Sequence, residues 1–374
     1  MESRPVSPVE AGTGTRQRRI DLDLMRIIAC FLVIFNHLEG YHLYMYAGRP
    51  LKTWVCMFLT MVTRINVPLF FMISGTLLLG GREESYSRIL KKRISRIAAV
   101  LVIFTAVLYF IWMANTSSGF SLEVFFRAVL AEPYDCGGLA YWYLYCYLGF
   151  LLLLPVFRRI AKGMTKQDFI LLLSVHFFFS SFLPALNLIL GAQGIPWIGI
   201  STDFTESMAI ANVKVLFYPL IGYYLDRHVP VEKIRAKHVL LLVLLTLGGI
   251  AASSACTYYE GTHWEKVFTQ NYVQLFDYLT AITAFILVKT FCFRRNSFAA
   301  RPRFSAAVTR ISSLTFGIYL LDPVFKMAFY IGYEDALRSL PAMVRSLLWC
   351  LASMLAGGTV TYFLKKIPGL RKLL

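Results

Sequence analysis

Charge is what this chain has least of. Only 16% of its 374 residues are Asp, Glu, Lys or Arg, against about 25% in a typical water-soluble domain. A surface that faces water on all sides cannot be built from so few. Low hydrophobicity is missing too: 57% of residues are apolar and mean hydropathy is +0.59, which excludes the composition of a disordered chain. The seven cysteines (Cys30, Cys56, Cys136, Cys146, Cys256, Cys292 and Cys350) lack metal-ligand spacing, and an odd number excludes a complete disulfide set. They read as small apolar packing residues; Cys136 and Cys256 sit near the outer face, where one disulfide is possible but nothing in the sequence supports it. No internal repeat of fixed period and no inverted pair of broken helices is visible, which argues against a transporter of that design. Acidic charge is the scarcer sign: 38 Lys+Arg stand against 21 Asp+Glu, a net charge of +17. In a soluble protein that excess would suggest nucleic acid; in a membrane protein it marks cytoplasmic loops.

Long apolar runs are what the chain has instead. About 20 apolar residues cross a bilayer core as helix. Ile97–Ala114, Leu139–Phe157, Phe169–Leu190, Val239–Thr257 and Ser346–Leu364 qualify with no formal charge. Leu24–Tyr46, Val55–Gly81, Ser207–Leu225, Tyr272–Phe293 and Ser312–Ile331 qualify if they hold buried polar groups. The pattern predicts an all-α, polytopic integral membrane bundle of about ten transmembrane helices.

The basic residues then sort by side. Arg4, Arg16, Arg18 and Arg19, the 82–96 loop, Arg158, Arg159, Lys162 and Lys166 fall on one side. So do the basic residues of the 227–237 and 294–310 segments and of the C-terminal end. Only Arg49, Lys52, Arg127, Lys266, Arg338 and Arg345 fall on the other. This asymmetry places both termini in the cytoplasm and removes most of the case for nucleic acid. Residues 1–19, rich in Pro, Gly, Ser and Thr, read as a disordered cytoplasmic tail without a signal-peptide cleavage pattern. Residues 20–374 read as one membrane domain with no soluble domain appended.

Ionisable residues inside a span are costly and are functional candidates by default. On the first span Arg26 and His37 lie eleven residues apart. At about 100° per residue they share a face, about 16 Å apart along the axis. Asp23 can pair with Arg26 one turn away. His37 and His42 would be a metal guess, but five residues set them about 140° apart. A buried histidine hydrogen-bonded to a neighbouring helix is the plainer reading of His37, and snorkelling that of Arg26. The second span carries Arg64, Asn66, Pro68 and Ser74, with Arg64 either paired to a carboxylate or facing a cavity. Arg93 and Arg96, three apart where the third span enters the membrane, share a helix face; a guanidinium pair there anchors topology or binds phosphate. Asp322 lies near the middle of the ninth span beside Pro323, with Lys326 placed for a local ion pair. Asp277 and Lys289 read as pairing or snorkelling residues, and Tyr141, Trp142 and Tyr143 as an interfacial aromatic belt.

Taken in order, LDLMRIIACFLVIFNH (22–37), VPLFFMISGTLLL (67–79), KKRISR (91–96), YWYL (141–144), YPLIGYYL (218–225), ISSLTFGIYLLDP (311–323) and the ending KIPGLRKLL resemble the acyltransferase-3 family of bacterial membrane acyltransferases. The resemblance implies transfer of an acyl group, often acetyl, from cytoplasmic acyl-CoA to a hydroxyl or amine of a cell-envelope glycan or lipid-linked saccharide. It implies a multi-pass protein of the cell membrane, with acyl-CoA, the glycan and membrane lipid as partners. It implies no permanently bound cofactor, no metal and no nucleic acid. It assigns His37 as the catalytic histidine and Arg93 and Arg96, with Arg26, to the donor coenzyme. Two positions depart from the family pattern: Asp322 and Tyr141 stand where many relatives have His. The sequence therefore proposes His37, Arg64 and Asp322 for catalysis, Arg64 as oxyanion stabiliser. A transporter or flippase, and a non-catalytic sensor or assembly subunit, are the rival readings.

Overall fold

Without water to bond its backbone, an apolar run must satisfy every N–H and C=O internally, and this chain does so with helices. In the computed structural model, which describes residues 18–38, 50–81, 83–130, 141–195, 214–263, 276–294 and 301–374, no strand occurs among the described residues. The helices in chain order are α1 (Ile20–Asn36), α2 (Pro50–Thr63), α3 (Asn66–Leu78), α4 (Tyr86–Ile89), α5 (Ser95–Thr116) and α6 (Leu122–Leu130). They continue as α7 (Trp142–Leu152), α8 (Leu154–Gly163), α9 (Lys166–Phe177), α10 (Leu183–Ala192) and α11 (Lys214–His228). The last are α12 (Ala236–His263), α13 (Asp277–Arg294), α14 (Pro302–Ala336), α15 (Ala342–Leu364) and the short α16 (Pro368–Leu373).

Among the described residues, five stretches are each long and apolar enough to cross a membrane: Leu51–Leu78, Tyr86–Thr116, Ala236–Glu260, Pro302–Ala336 and Ala342–Leu364. Only 22% of the Ala236–Glu260 window is buried, and its outward side chains include Leu240, Leu241 and Leu244. An apolar outer face of that extent suits lipid, not water.

Several expected spans are interrupted, each for a local reason. Leu139–Phe157 is not one rod: α7 and α8 meet at a 66° bend at Leu153. Pro155 follows, where its missing N–H and its ring conflict with the preceding turn. Phe169–Leu190 becomes α9, a π-helical turn at Phe178–Phe182 and α10, which opens with Pro184. α1 ends at His37, its C-cap residue, so the Leu24–Tyr46 expectation continues into 39–46, outside the described residues. Residues 1–17, His42, Cys136, 207–213 and 272–275 also lie outside the described residues. Cys256, the other half of the Cys136–Cys256 pair, is a free thiol.

α1 is the centre of the bundle, packed by α2, α3, α13, α14 and α15. Its start is tied down by charge: Arg19 bonds Asp21 at 2.6 Å and Asp226 at 2.7 Å, and Asp226 accepts from Lys289 at 2.8 Å. These contacts join the start of α1 to the C-terminal ends of α11 and α13, and Lys289 is paired. The tightest crossing is α3 against α11, where Gly75 meets the backbone of Pro219 and Gly222 that of Met72.

Candidate active site

The C-terminus of a helix leaves carbonyls without intrahelical donors. α1 ends at such a point inside the bundle, and the chain answers with side chains from α14. Lys326 Nζ donates to the His37 carbonyl at 2.6 Å, a cation placed at the negative end of the helix dipole. One turn earlier on α14, Asp322 Oδ2 meets His37 Nδ1 at 2.7 Å. The other carboxylate oxygen, Oδ1, accepts from Ser353 Oγ of α15 at 2.9 Å. The Asp322 side chain is 1% exposed and that of His37 18%, so the carboxylate is sealed while the imidazole is reachable. A carboxylate at Nδ1 stabilises the tautomer with its proton there, leaving the Nε2 lone pair free.

What reaches His37 is a cavity of about 400 Å³ running between α1, α3, α5, α7 and α14. Arg26 and His37 both line it, as their eleven-residue spacing on one helix requires. Trp142, Tyr143, Tyr319, Tyr147 and Ser74 also line it. Tyr143 stacks on Tyr147 with ring centroids 5.9 Å apart and meets Tyr319 edge-on at 6.2 Å. The expected interfacial belt at 141–143 is thus turned inward. Tyr141 is buried, donates its hydroxyl to the Leu320 carbonyl at 2.6 Å and holds α7 against α14.

The half of the cavity nearer the start of α1 carries Arg26 and Arg96. Arg26 donates to Asp23 Oδ1 and to Ser312 Oγ, both at 3.2 Å. Asp23 also accepts from Arg18 at 2.7 Å and from Ser312 at 2.7 Å. One carboxylate is thus shared between two guanidiniums, and the Arg18–Asp23–Arg26 group keeps a net positive charge. Arg96 is different: it makes no ion pair among the described residues, donates Nε to the Leu373 carbonyl at 2.9 Å and lies 5.7 Å from the Phe316 ring centre. Its whole charge is left to offer an anion.

A π-helical turn runs through Leu90–Ile94, so the angle between Arg93 and Arg96 departs from that of a regular α-helix. Arg93 does not line the cavity. It forks onto Glu84 at 3.0 and 3.2 Å, and Arg158 joins the same carboxylate at 3.0 Å. Arg158 also donates to the Leu78 carbonyl at 2.9 Å. Burial would raise the Glu84 pKa, but hydrogen bonds from Arg158 and Arg93 hold it below the usual carboxylate range. A carboxyl depressed on folding contributes stability that is present above its unfolded value, about 4.3, and is lost as pH falls through the folded one. The thermal stability of the detergent-solubilised protein is thus expected to fall below about pH 4.3, and Glu84→Gln is expected to flatten that acid limb.

Arg64 sits in the two-residue break between α2 and α3, its backbone N–H donating to the Met61 carbonyl at 3.2 Å, and does not line the cavity. No group of three or more metal-ligating side chains occurs among the described residues. Sequence reasoning did not single out Ser353, because a serine in an apolar span looks like any small packing residue. The role of Lys326 at the His37 carbonyl was masked by its spacing from Asp322, which suggested a local pair.

A family model described as an acyltransferase domain, Acyl_transf_3, matches residues 19–363. The chain belongs to this acyltransferase-3 family, and with its apolar helices it is a multi-pass membrane acyltransferase. Neither a curated protein nor a solved structure matches the chain significantly.

Proposed function

We propose that this acyltransferase moves an acyl group, acetyl foremost, from cytoplasmic acyl-CoA to a hydroxyl or amine of a cell-envelope glycan or lipid-linked saccharide. The protein would sit in the cell membrane as ten spans with both termini cytoplasmic, as the sorting of basic residues favours. The observation that carries the reading is one cavity with Arg96 and Arg26 at one end and a carboxylate-held histidine at the other.

In this mechanism the coenzyme's phosphates meet Arg96 and Arg26, and the pantetheine arm extends toward His37. The roughly 16 Å between Arg26 and His37 along α1 is of the order such an arm can span. Nε2 of His37 accepts the proton of the acceptor hydroxyl as its oxygen attacks the thioester carbonyl. Asp322 stabilises the imidazolium that forms. The tetrahedral intermediate then expels CoA thiolate, which takes the proton back from His37, and the new ester leaves. Arg64, away from the cavity lining, has no part in this scheme.

The test is CoA release from acetyl-CoA by membranes containing the protein, paired with mass spectrometry of envelope glycans from cells with and without it. CoA release with an acetyl mass on the glycan is expected. Arg96→Ala is expected to raise KM for acetyl-CoA by roughly 10- to 100-fold, the loss of one hydrogen-bonded charge pair, with little change in kcat. Movement of labelled saccharide across vesicles without CoA release would instead support a transporter.

A further inference from the structure

Serine and threonine hydroxyls in apolar helices usually bond back to a carbonyl of their own helix. This bundle follows that habit: Thr60 donates to Cys56 O, Ser254 to Ile250 O and Thr359 to Leu355 O, each at 2.8 Å. Ser353 departs from it. Its hydroxyl crosses from α15 to α14 and donates to Asp322 Oδ1 at 2.9 Å, with both residues buried. The approach is made short by small residues at the crossing: a Cβ on Gly317 would meet Thr361, and one on Gly357 would touch Ile318.

We infer that Ser353 is a positioning residue for acyl transfer, acting on His37 through Asp322. The inference rests on the reading of His37 as general base. A carboxylate turns easily about its last torsion, whose preference is broad and two-fold. With Oδ1 held by Ser353, the carboxylate plane is set and Oδ2 is presented to His37 Nδ1 at 2.7 Å. The imidazole is then fixed from two sides, Nδ1 by Asp322 and the backbone carbonyl by Lys326, so Nε2 keeps one direction relative to the cavity. Without the Ser353 hydroxyl, Oδ1 becomes a buried acceptor lacking its donor and the carboxylate turns to seek one. Ser353 keeps its proton throughout, and the bonds made and broken remain those of the thioester and the new ester.

The experiment compares CoA release from acetyl-CoA, across pH, in membranes bearing wild type, His37→Ala, Ser353→Ala, Ser353→Thr or Ser346→Ala. Ser346 lies on the same buried side of α15 and controls for lost packing. Ser353→Ala is expected to lower kcat about 10-fold, the effect of one hydrogen bond to a charged group, with KM for acetyl-CoA unchanged and the acid limb of the kcat profile moved. Ser353→Thr restores most of the rate, and Ser346→Ala matches wild type. If Ser353→Ala keeps the wild-type kcat and profile while His37→Ala is inactive, the inference fails and the histidine reading stands. A kcat loss with an unmoved acid limb overturns it as well, leaving Ser353 a packing residue. If wild type releases no more CoA than His37→Ala, the general-base reading itself fails.

Discussion

Replacing His37 with Ala is expected to reduce acyl transfer by up to about 10⁴-fold, the upper range for loss of a positioned general base, in a protein that still folds. Its side chain is partly exposed to the cavity, so truncation enlarges a space that already exists. Asp322→Asn is expected to cost roughly 10³-fold. An amide can turn its NH₂ toward Nδ1 and so favour the tautomer with the proton on Nε2, which cannot accept a proton from the acceptor. Because the two act as a unit, the double variant is expected to be no worse than His37→Ala alone. Detergent-purified variants that elute as wild type, assayed for CoA release from acetyl-CoA, check both numbers. Additive losses would show that Asp322 acts independently of His37.

Substituting Gly75 or Gly222 is expected to be the most damaging change to the fold. A Cβ on Gly75 would lie 1.9 Å from the Pro219 carbonyl oxygen, and one on Gly222 would lie 2.2 Å from that of Met72. Both obstacles are backbone atoms, so no side-chain rotation relieves them, and α3 and α11 must move apart. Gly75→Ala is expected to destabilise the protein by about 3 kcal/mol or more, at the upper end for an overpacked contact. Activity should fall with it, because α3 carries Ile73, Ser74 and Leu77 to the cavity wall. Gly149, in the middle of α7, has nothing within 4 Å of an added Cβ; Gly149→Ala is expected to be neutral or mildly stabilising. Melting temperatures of the three variants in detergent separate these outcomes, and a Gly75→Ala protein as stable as wild type would refute the close crossing.

Much of the site could be read from residue spacing alone. Arg26 and His37 share one straight helix, and an eleven-residue interval returns to the same face whatever surrounds it. Asp322 was conspicuous because a carboxylate in an apolar run demands a partner. The identity of that partner was not legible. Lys326 at four residues looked sufficient, while His37 is 285 positions away in sequence. The Glu84 partner of Arg93 was not legible either: it lies nine residues back, and a π-helical turn at Leu90–Ile94 breaks the regular helical spacing on which such a reading depends. Tyr141–Tyr143 were read as an interfacial belt because composition cannot tell an aromatic residue that faces lipid from one that faces another helix.

By itself the sequence determined that this is a helical membrane protein, and that His37, Arg26 and Asp322 are anomalies requiring explanation. Those conclusions follow from transfer energies and helical periodicity, which act locally along the chain. Only the tertiary structure decided that Asp322 bonds both His37 and Ser353, that Arg93 and Arg158 share Glu84, and that Arg96 lines the cavity. Those are choices among partners. A buried charge must find one, but which one depends on the helices brought beside it, and here the packing of α1 against α14 and α15 makes that choice.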